Sequence, residues 1–498
     1  MKKVVIISLS VVFVIAVCLT IVFSCGGGEL SKIKKHISCY DIAVDYNDTT
    51  KTLSGKQTLR YINNNDVVLN SLNFHLYPKA FKKEAEGKPV SEFNSAKAYP
   101  NGFSEGDMTI ESVFVENKSV KFGFAGKDKD ILVVPFLDEL YPQEMCSIYI
   151  EFTVIIPNIN FRFGYGENTV NLGNFYPVAC KYEEGGFIND SYHYNGDPFY
   201  TDIASYNVEV NYPNNIVCVA SGKLTNEKSN ETRKTSYYSA VAVRDFALCL
   251  SSKFNVVSEV VDNTKVNYYY YNDENAEGSL TVSLDAVKTF NNLIGLYPYD
   301  ELNVVQANFL HGGMEYPSLV LISDDLKSNS EYNNVIVHEI GHQWFYGVVG
   351  NNEVKEAWLD EGLTEYITAM FYELNPSYQI KINDIIGNAL KSYLLFEEVY
   401  RDVYGNIDTS MDRKLNEFAT EPEYVYMVYV KGMLLFDAVR EQIGDSAFCQ
   451  SLKYYYETNK FKVATKDHLI AAFQKHTTKD VEGLINSWVN GDFSLSNK

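Results

Sequence analysis

The first half of the chain alternates hydrophobic and polar residues at every second position. Between about Cys39 and Phe254, short runs of this kind are separated by Asn, Asp and Gly, as in residues 40–46 and 208–212. Alternation with a period of two predicts strands with one buried face, and no long amphipathic pattern interrupts them. We therefore predict that residues 38–254 form an N-terminal antiparallel β domain.

The period changes after Asn275. Apolar residues then recur at the i, i+3, i+4 and i+7 spacing of a helix up to Gly295, and the apolar run 302–305 predicts a strand. Beyond residue 335 the pattern stays helical to the end of the chain. A chain of 498 residues is too long for a single hydrophobic core. These features predict a multi-domain α+β protein whose second domain, mainly helical, covers residues 255–498.

The N-terminus has a pattern of its own. Met1-Lys2-Lys3 precedes an uncharged apolar run, Val4–Ser24, which is typical of an export signal and long enough for a membrane-spanning helix. The residues ending at Cys25 resemble a bacterial lipobox, in which the cysteine is lipidated; an uncleaved signal anchor is the alternative. We predict a signal, lipoprotein or membrane anchor at 1–25 and a flexible tether at 26–37. Both alternatives place the protein at the cell membrane, on its extracytoplasmic face.

Charge and cysteine usage narrow the class of protein. The chain has 43 basic and 64 acidic residues, a net charge of −21, and no basic stretch stands out, which excludes a nucleic-acid partner. The 8 cysteines show no C-x-x-C pairing. Six lie outside the apolar segment, and we interpret them mainly as buried free thiols, with a disulfide among them left open.

The most informative stretch is residues 335–345, which contains His-Glu-x-x-His. Residues four apart lie on one face of a helix, so His338 and His342 point the same way and can share one zinc ion. Glu339 can reach a water on that metal, which makes it the candidate general base.

Two histidines do not complete a zinc site, because a third protein ligand is needed beside the water. The following segment, Glu356–Tyr366, supplies Glu361 as the candidate. A second helix running antiparallel to the first would bring this carboxylate to the metal. The alternative is that the motif occurs by chance in a polar helix.

At this point the sequence resembles a known family. His-Glu-x-x-His followed by eighteen residues and Glu, here the spacing from His342 to Glu361, is similar to the gluzincin zinc aminopeptidases, the family of alanyl aminopeptidase and leukotriene hydrolase. The resemblance implies an N-terminal β domain followed by a thermolysin-like, mainly helical catalytic domain. Larger members carry a further C-terminal helical domain, for which we expect no room here. Further segments that carry the resemblance are 72–78, 199–206, 243–247 and 311–317.

The resemblance assigns roles to the site residues. His338, His342 and Glu361 would hold one Zn²⁺ per chain, with Glu339 as general base. The family's Tyr-x-Lys-Gly matches Tyr429 before Lys431-Gly432, so Tyr429 would donate a hydrogen bond to the oxyanion of the tetrahedral intermediate. Two nearby tyrosines compete for this role; they are Tyr424 and Tyr426.

Substrate recognition follows from the stretch His311–Pro317. It resembles the family's Gly-x-Met-Glu-Asn, which lines the site as an edge strand, with Tyr316 in place of Asn. Glu315 would bind the free α-amino group of a peptide, and Gly312 and Gly313 would let backbone approach the substrate. The implied function is a zinc-dependent aminopeptidase acting on peptides with a free N-terminus.

Two other functions remain open. A zinc endopeptidase, or another zinc hydrolase on the same scaffold, would use the same metal residues. A binding or adaptor protein without activity would normally lack a ligand or the base. Glu365, one turn beyond Glu361, either orients a histidine ligand or is a solvated surface residue. We assign no metal role to His75, His193 or His311.

Overall fold

The computed structural model describes residues 28–492. Its N-terminal half is built on an eight-stranded sheet whose strands show the alternating burial that the sequence predicts; the strand Met145–Ile155, for example, alternates buried and accessible residues along most of its length. In spatial order the strands are Lys223–Ser229, Arg233–Val243, Ala204–Pro213, Ser38–Asn47, Thr52–Ile62, Met145–Ile155, Asp107–Val115 and Lys118–Ser119.

Neighbouring strands in this sheet are antiparallel with one exception. Ser38–Asn47 and Ala204–Pro213 pair in parallel, with Ser38 opposite Ala204 and Asp45 opposite Asn211. Long-range pairing of this kind needs a crossover rather than a hairpin, so the period-two pattern did not reveal it. The predicted antiparallel β domain is therefore correct except for this one parallel pair.

Smaller sheets complete the β domain. Two have four strands and one has two strands. In spatial order they are Val217–Ala220, Leu248–Ser251, Val170–Leu172 and Phe163–Tyr165; then Val178–Ala179, Leu69–His75, Ile131–Leu140 and Gly123–Ala125; and finally Tyr182–Glu183 with Gly186–Phe187. Two short helical segments, Tyr77–Phe81 and Ser95–Ala98, lie in the connection between the strands ending at His75 and beginning at Asp107.

A five-stranded sheet separates the two hydrophobic cores. Its order is Asn255–Val261, Thr264–Tyr270, Glu301–Ala307, Leu319–Ser323 and Gly313–Met314. Side chains alternate between its faces: Val304 and Val320 pack into the helical core, whereas Val305 and Leu321 pack into the β-domain core. Burial on both faces explains why Leu319–Ser323 and residues 302–305 are largely apolar. The sheet ties the two halves together and leaves Gly313–Met314 at its edge.

The rest of the described chain is helical. The helix predicted from the residues after Asn275 spans Ala276–Leu293. The other helices are Asn329–Gly341, Trp358–Leu374, Ile382–Tyr404, Glu421–Val425, Lys431–Ile443, Asp445–Asn459, Lys466–Gln474 and Val481–Val489, with a π-helical turn at Tyr426–Val430 and 3₁₀ turns at Pro376–Tyr378 and Leu415–Glu417. Their apolar faces form the helical core, which contains Trp344, Trp358 and Trp488.

The predicted anchor 1–25 lies outside the described residues, including Cys25. Part of the predicted tether forms structure: Glu29–Ile33 is a short helix whose Leu30 packs on the helical core and whose Glu29 pairs with Lys460 at 3.0 Å. Within residues 28–492, no helix is long and apolar enough to cross a membrane. In the same range six cysteines are free thiols; four are buried, and Cys39 and Cys449 are partly accessible.

Candidate active site

The first ligand helix, Asn329–Gly341, begins at a well-formed cap. Ser328 accepts a hydrogen bond from the backbone of Glu331, whose carboxylate in turn accepts one from the backbone of Ser328. Such a capping box fixes where a helix begins. The helix then places His338 and His342 one turn apart on its buried face, with 8% and 1% of their surface exposed.

The second ligand helix, Trp358–Leu374, supplies Glu361. Gly362, the neighbour of Glu361, lies against Gly432 of the helix Lys431–Ile443. A Cβ on either glycine would come within 2.7 Å of the Cα of the other. Only a glycine pair allows the two helices to cross this closely. The crossing brings the residues that adjoin the two glycines, Glu361 and the turn carrying Tyr429, to the same point.

Three donor atoms converge between the two ligand helices. His338 Nε2 and His342 Nε2 are 3.0 Å apart, and the Oε2 of Glu361 lies 3.0 Å from the second and 3.3 Å from the first. All three side chains are buried. Zinc in hydrolases is commonly bound by two imidazole nitrogens and one carboxylate, which is the donor set found here. The residues present therefore fit the ion that the sequence predicts.

The electrostatics of these groups agree with a cation site. Burial alone would raise the pKa of Glu361, but His342 and His338 hold it well below its usual range. Burial lowers the pKa of His342, but the nearby Glu361 carboxylate raises it by more. The net effect is a pKa well above the usual value for histidine. The ligand carboxylate is thus charged, as a metal ligand must be.

Groups outside the donor set hold the ligands in place. The Nδ1 of His342 lies 3.0 Å from the carbonyl oxygen of Phe345, to which it donates. The Nδ1 of His338 lies 3.6 Å from the Oε1 of Glu365, whose side chain is 29% exposed. Of the two interpretations of Glu365, this geometry favours the residue that orients His338. A freely solvated surface residue would not lie this close to the imidazole. Asp360 is a further carboxylate beside His342, at 3.9 Å.

The candidate base lies next to the edge strand. Glu339 is 5% exposed, and burial raises its pKa to about 7 against the opposing effect of the two imidazoles. A Cβ on Gly313 would overlap the carboxylate of Glu339, and one on Gly312 would lie 3.3 Å from Val335. Both glycines therefore keep the space between the edge strand and the first ligand helix open.

The three competing tyrosines lie in different places. Tyr429 donates a hydrogen bond to Glu361, and its ring lies 6.2 Å from that of His338. Tyr424 packs edge-on against Tyr429 at 5.9 Å. Tyr426 stacks on Phe396 at 4.2 Å, away from the metal ligands. Of the three, Tyr429 is the one in contact with a metal ligand, at the place the sequence motif assigns to it.

Glu315 is held in place by the residue that follows the second histidine. Gln343, fully buried, donates to the backbone oxygens of Glu315 and Tyr316 at 3.2 and 3.3 Å. The Glu315 side chain is 4% exposed, and its Oε1 has no partner among the described residues. Burial and the nearby Asp197 raise its pKa well above the usual value.

Asp197 is a site residue that the sequence analysis missed. Carboxylate oxygens of Asp197, Glu315 and Glu361 lie within 4.8 Å of one another. Within residues 28–492, this trio is the second cluster of side chains close enough together to bind a cation. Asp197 also forms a buried ion pair with Arg162. It comes from the β domain, in Gly196-Asp197-Pro198, directly before a segment that carries the family resemblance. That adjacency was the signal available in the sequence.

The β-domain wall is joined to the ligand helices by Arg244, which is 4% exposed. Its guanidinium donates to the carbonyls of Tyr346 at 2.7 Å and Thr201 at 3.3 Å, and also to that of Lys462. A Cβ on Gly350 would overlap this guanidinium. Thr201 belongs to the loop that carries Asp197, so one side chain connects that loop to the chain just after His342.

Other sequence candidates lie elsewhere. His75 is buried and stacks on Tyr77 at 4.9 Å, and His193 stacks on Tyr194 at 4.3 Å. His311 lies on the cavity wall but outside the metal donors. Tyr316, which replaces the family's Asn, is fully buried in the β-domain core. It is thus a packing residue in this chain.

These residues enclose one cavity of about 270 Å³. Its wall includes both ligand helices, the edge strand, the Asp197 loop and Tyr429. Residues 280–488 match the profile described as "Peptidase family M1 domain". This segment belongs to peptidase family M1. The predicted zinc aminopeptidase family is therefore confirmed, and the M1 segment contains all three metal-ligand candidates.

Relatives extend the similarity beyond the M1 segment. Aminopeptidase M1-A of Oryza sativa subsp. japonica is 23% identical over 398 residues, which is 70% of this chain and 43% of that protein. Aminopeptidase N of Lactococcus lactis subsp. lactis is 22% identical over 428 residues, 77% of this chain and 46% of that protein. The chain spans less than half the length of these curated relatives.

A solved structure covers nearly the whole fold. The M1 zinc metallopeptidase of Deinococcus radiodurans matches with a TM-score of 0.66 at 16% identity, over 92% of this chain and 94% of that one. A structure of a variant of that protein is described as bound to a Tyr-Ser-Ala substrate. The shared fold confirms the predicted architecture, a β domain followed by a helical catalytic domain.

Proposed function

We propose that the protein is a zinc aminopeptidase that removes single residues from the free N-terminus of peptides. The observation that carries the proposal is the trio of buried carboxylates, Asp197, Glu315 and Glu361, beside the three metal donors. Among the described residues, Arg162 is the one arginine or lysine that pairs with this trio, through Asp197, while His338 and His342 contact Glu361. Buried carboxylates repel one another unless a cation joins them. The ammonium group of a peptide N-terminus supplies that cation.

The position of the trio explains why cleavage is confined to the first peptide bond. Glu361 belongs to both the trio and the zinc-ligand set. An ammonium held by Asp197 and Glu315 is therefore separated from the metal site by about the length of one substrate residue. The carbonyl of that residue then lies next to Glu339. Charge-assisted hydrogen bonds to two carboxylates fix this geometry. Arg162, which pairs with Asp197, lines the same cavity and would limit the space behind the ammonium.

His338, His342 and Glu361 would hold one zinc ion, which activates water and polarises the scissile carbonyl when bound. Glu339 accepts the proton of the attacking water and passes it to the leaving amine. Tyr429 donates a hydrogen bond to the carbonyl oxygen as it becomes negative. To do so its hydroxyl turns from Glu361, its present partner, towards the substrate.

The experiment that tests the proposal compares free and N-acetylated peptides of the same sequence. We expect the parent to cleave Ala-Ala-Ala and to leave its acetylated form intact, because an acetylated nitrogen carries no charge for the trio. Glu315→Ala should lose kcat/KM on the free peptide by on the order of 10²–10³, as expected for a charged partner removed from a buried pair.

The matched control is Glu331→Gln, which changes a carboxylate at the exposed start of the first ligand helix and should leave kcat/KM within about twofold, since surface changes have small effects. Equal cleavage of free and acetylated peptides by the parent would contradict the proposal. That result would favour the zinc endopeptidase alternative.

We further propose that the protein works at the extracytoplasmic face of the cell membrane, held there by its N-terminal segment. Support comes from the sequence, where two lysines precede the apolar run Val4–Ser24 and Cys25. Fractionation of cells should place the full chain with membranes, and removal of residues 1–25 should release active enzyme. Palmitate labelling that survives Cys25→Ser would contradict the lipoprotein form of the anchor.

A further inference from the structure

A turn of the β domain lies against the rim of the catalytic cavity. Residues 91–94 form this rim turn, which is closed by the hydrogen bond from Asn94 N to Ser91 O at 3.2 Å. Ser91 Oγ donates to Glu421 at 2.7 Å, and Asn94 Nδ2 donates to both oxygens of the same carboxylate at 2.9 Å. Glu421 lines the cavity. Both ends of the rim turn are therefore fixed to the cavity wall.

Phe93 lies between these two anchoring residues, and 87% of its side chain is exposed. Single exposed apolar residues are common and need no explanation by themselves. Here, however, the side chains of Ser91 and Asn94, on either side of the ring, donate hydrogen bonds to one carboxylate of the other domain. Because the turn that carries it is fixed, this aromatic side chain has only its two χ angles to order when it binds a partner.

The edge strand shows which part of a peptide reaches this rim. Gly313–Met314 is the last strand of its sheet, so its outer edge is free to pair with an extended peptide. Glu315 receives the N-terminus, and Gly313 adjoins Glu339 at the level of the scissile bond. A peptide antiparallel to the strand then passes Gly312 and reaches His311, about 3.3 Å further for each residue.

His311 connects that path to the rim turn. Its Nδ1 lies 4.0 Å from the Oε1 of Glu421, and its ring packs edge-on against Phe161 at 5.8 Å. The order along the cavity is thus Glu315, Gly313, Gly312, His311 and Glu421, followed by the rim turn. A peptide residue opposite His311 is the second or third after the scissile bond.

We infer that Phe93 is a specificity residue, which contacts the second or third residue after the scissile bond and favours an apolar side chain there. The inference rests on the proposed aminopeptidase function. It predicts a preference expressed only with peptides long enough to reach the rim, since a leaving group of one unit ends before His311.

The test uses two tetrapeptides, Ala-Ala-Leu-Leu and Ala-Ala-Ser-Ser, and alanine p-nitroanilide. The initial release of the first alanine is followed by mass spectrometry. We expect the parent to favour the leucine peptide in kcat/KM by about three- to tenfold, the range for partly burying apolar side chains. Phe93→Ser should remove this preference and leave kcat/KM on the anilide unchanged, because the anilide does not extend to the rim.

Two further variants separate a contact from a general effect. Phe103→Ser changes another exposed phenylalanine of the same connection, 53% exposed, and should keep the parent's preference. Glu421→Ala releases both ends of the rim turn and should weaken the preference although Phe93 is still present.

The outcomes distinguish this inference from the function on which it rests. A parent that cleaves both tetrapeptides equally well, or a Phe93→Ser variant that keeps the leucine preference, would overturn the role of Phe93 and leave the aminopeptidase function standing. A parent that cleaves none of the free-amine substrates would overturn both.

Discussion

The two walls of the cavity reach the same point by different routes. The helical wall carries His338, His342, Glu361 and Tyr429, all within 92 consecutive residues on three neighbouring helical segments. The β-domain wall carries Arg162 and Asp197, on loops far from the ligand helices in sequence. The histidine pair of the first wall can therefore be derived from local spacing, and Tyr429 follows from a family motif, whereas the second wall depends on how distant strands pair.

The two walls also have different work to do. The helical wall carries the candidate metal donors and the proposed base, and helix geometry and the Gly362–Gly432 crossing fix their positions. The β-domain wall supplies Asp197, which we propose selects the free amine. Selectivity thus draws on both domains, because Glu315 and Glu361 share the amine site with Asp197, whereas the candidate metal donors and base lie on the helical wall alone. The predictions below follow this division, from the largest expected effect on turnover to the smallest.

Glu339→Gln should keep the metal and lose turnover by on the order of 10²–10⁴, the usual contribution of a general base. The ligand set is untouched, and the amide has nearly the shape of the carboxylate. Metal analysis should give one zinc per chain in the variant and the parent, while His342→Ala should lose it. Normal turnover in Glu339→Gln, or undiminished zinc in His342→Ala, would be incompatible with the helical wall as described.

Tyr429→Phe should bind zinc and substrate normally but lose kcat by on the order of 10²–10³, the cost of removing one oxyanion donor. Tyr424→Phe is the matched control, since its ring packs against Tyr429 but its hydroxyl does not contact Glu361. A larger loss in Tyr424→Phe than in Tyr429→Phe would transfer the role to Tyr424.

The sequence was sufficient for the candidate residues of the helical wall because they lie in a local spacing and in family motifs. A spacing of four places two histidines on one face, and the family's spacing identifies Glu361. The close crossing of the helices at Gly362 and Gly432 comes from the structure. The edge-strand position of Gly313–Met314 was likewise predicted, from a motif. The motif assigned the oxyanion role to Tyr429, but spacing alone left Tyr424 and Tyr426 as competitors, because a one-residue shift around a π-helical turn redirects every side chain.

The β-domain wall could not be predicted in the same way. The strands 38–47 and 204–213 are far apart in sequence, and alternation alone does not distinguish parallel from antiparallel pairing. Asp197 lies beside Glu315 because the β domain packs against the five-stranded sheet, a contact between residues far apart in the sequence. Tyr316 shows the same limit, since its replacement of Asn has meaning only beside the β-domain core into which it packs.

Asp197→Asn should raise KM for free-amine peptides by about 10- to 100-fold with less change in kcat, because one of two charge-assisted contacts to the ammonium is lost. Zinc content should not change. Asp202→Asn, an exposed carboxylate in the same loop region, is the matched control. A loss that is equal on kcat and KM, accompanied by lower stability, would mean that Asp197 serves mainly to pair Arg162.

Arg244→Met should lower stability far more than turnover. The guanidinium satisfies backbone carbonyls from both domains, and removing such a buried donor costs about 3–5 kcal/mol in the free energy of unfolding. Arg60→Met, at a partly exposed ion pair with Asp41, should cost about 1 kcal/mol or less. Urea unfolding measures both, and kcat at saturating substrate should stay within about threefold in the folded fraction. Equal costs for the two variants would contradict the connecting role of Arg244.

The smallest effect is expected at Asp245, next to Arg244 in the same contact between domains. Its carboxylate is fully buried and accepts a hydrogen bond from the Tyr346 hydroxyl at 2.6 Å. Burial raises its pKa to about 6, although the Tyr346 hydroxyl opposes the shift. In the unfolded chain the carboxyl titrates near its ordinary value of about 4. Between these values the folded state binds more protons, so this group stabilises the fold below about pH 4 and loses that contribution as pH rises through about 6.

Asp245→Asn does not titrate, and pH-dependent terms elsewhere are common to both chains. The parent's stability relative to Asp245→Asn should therefore fall by about 1–3 kcal/mol between pH 4 and pH 7, measured by urea unfolding at each pH. A difference that stays constant with pH, or that grows in the parent's favour, would show that Asp245 is ionised in the folded protein throughout this range.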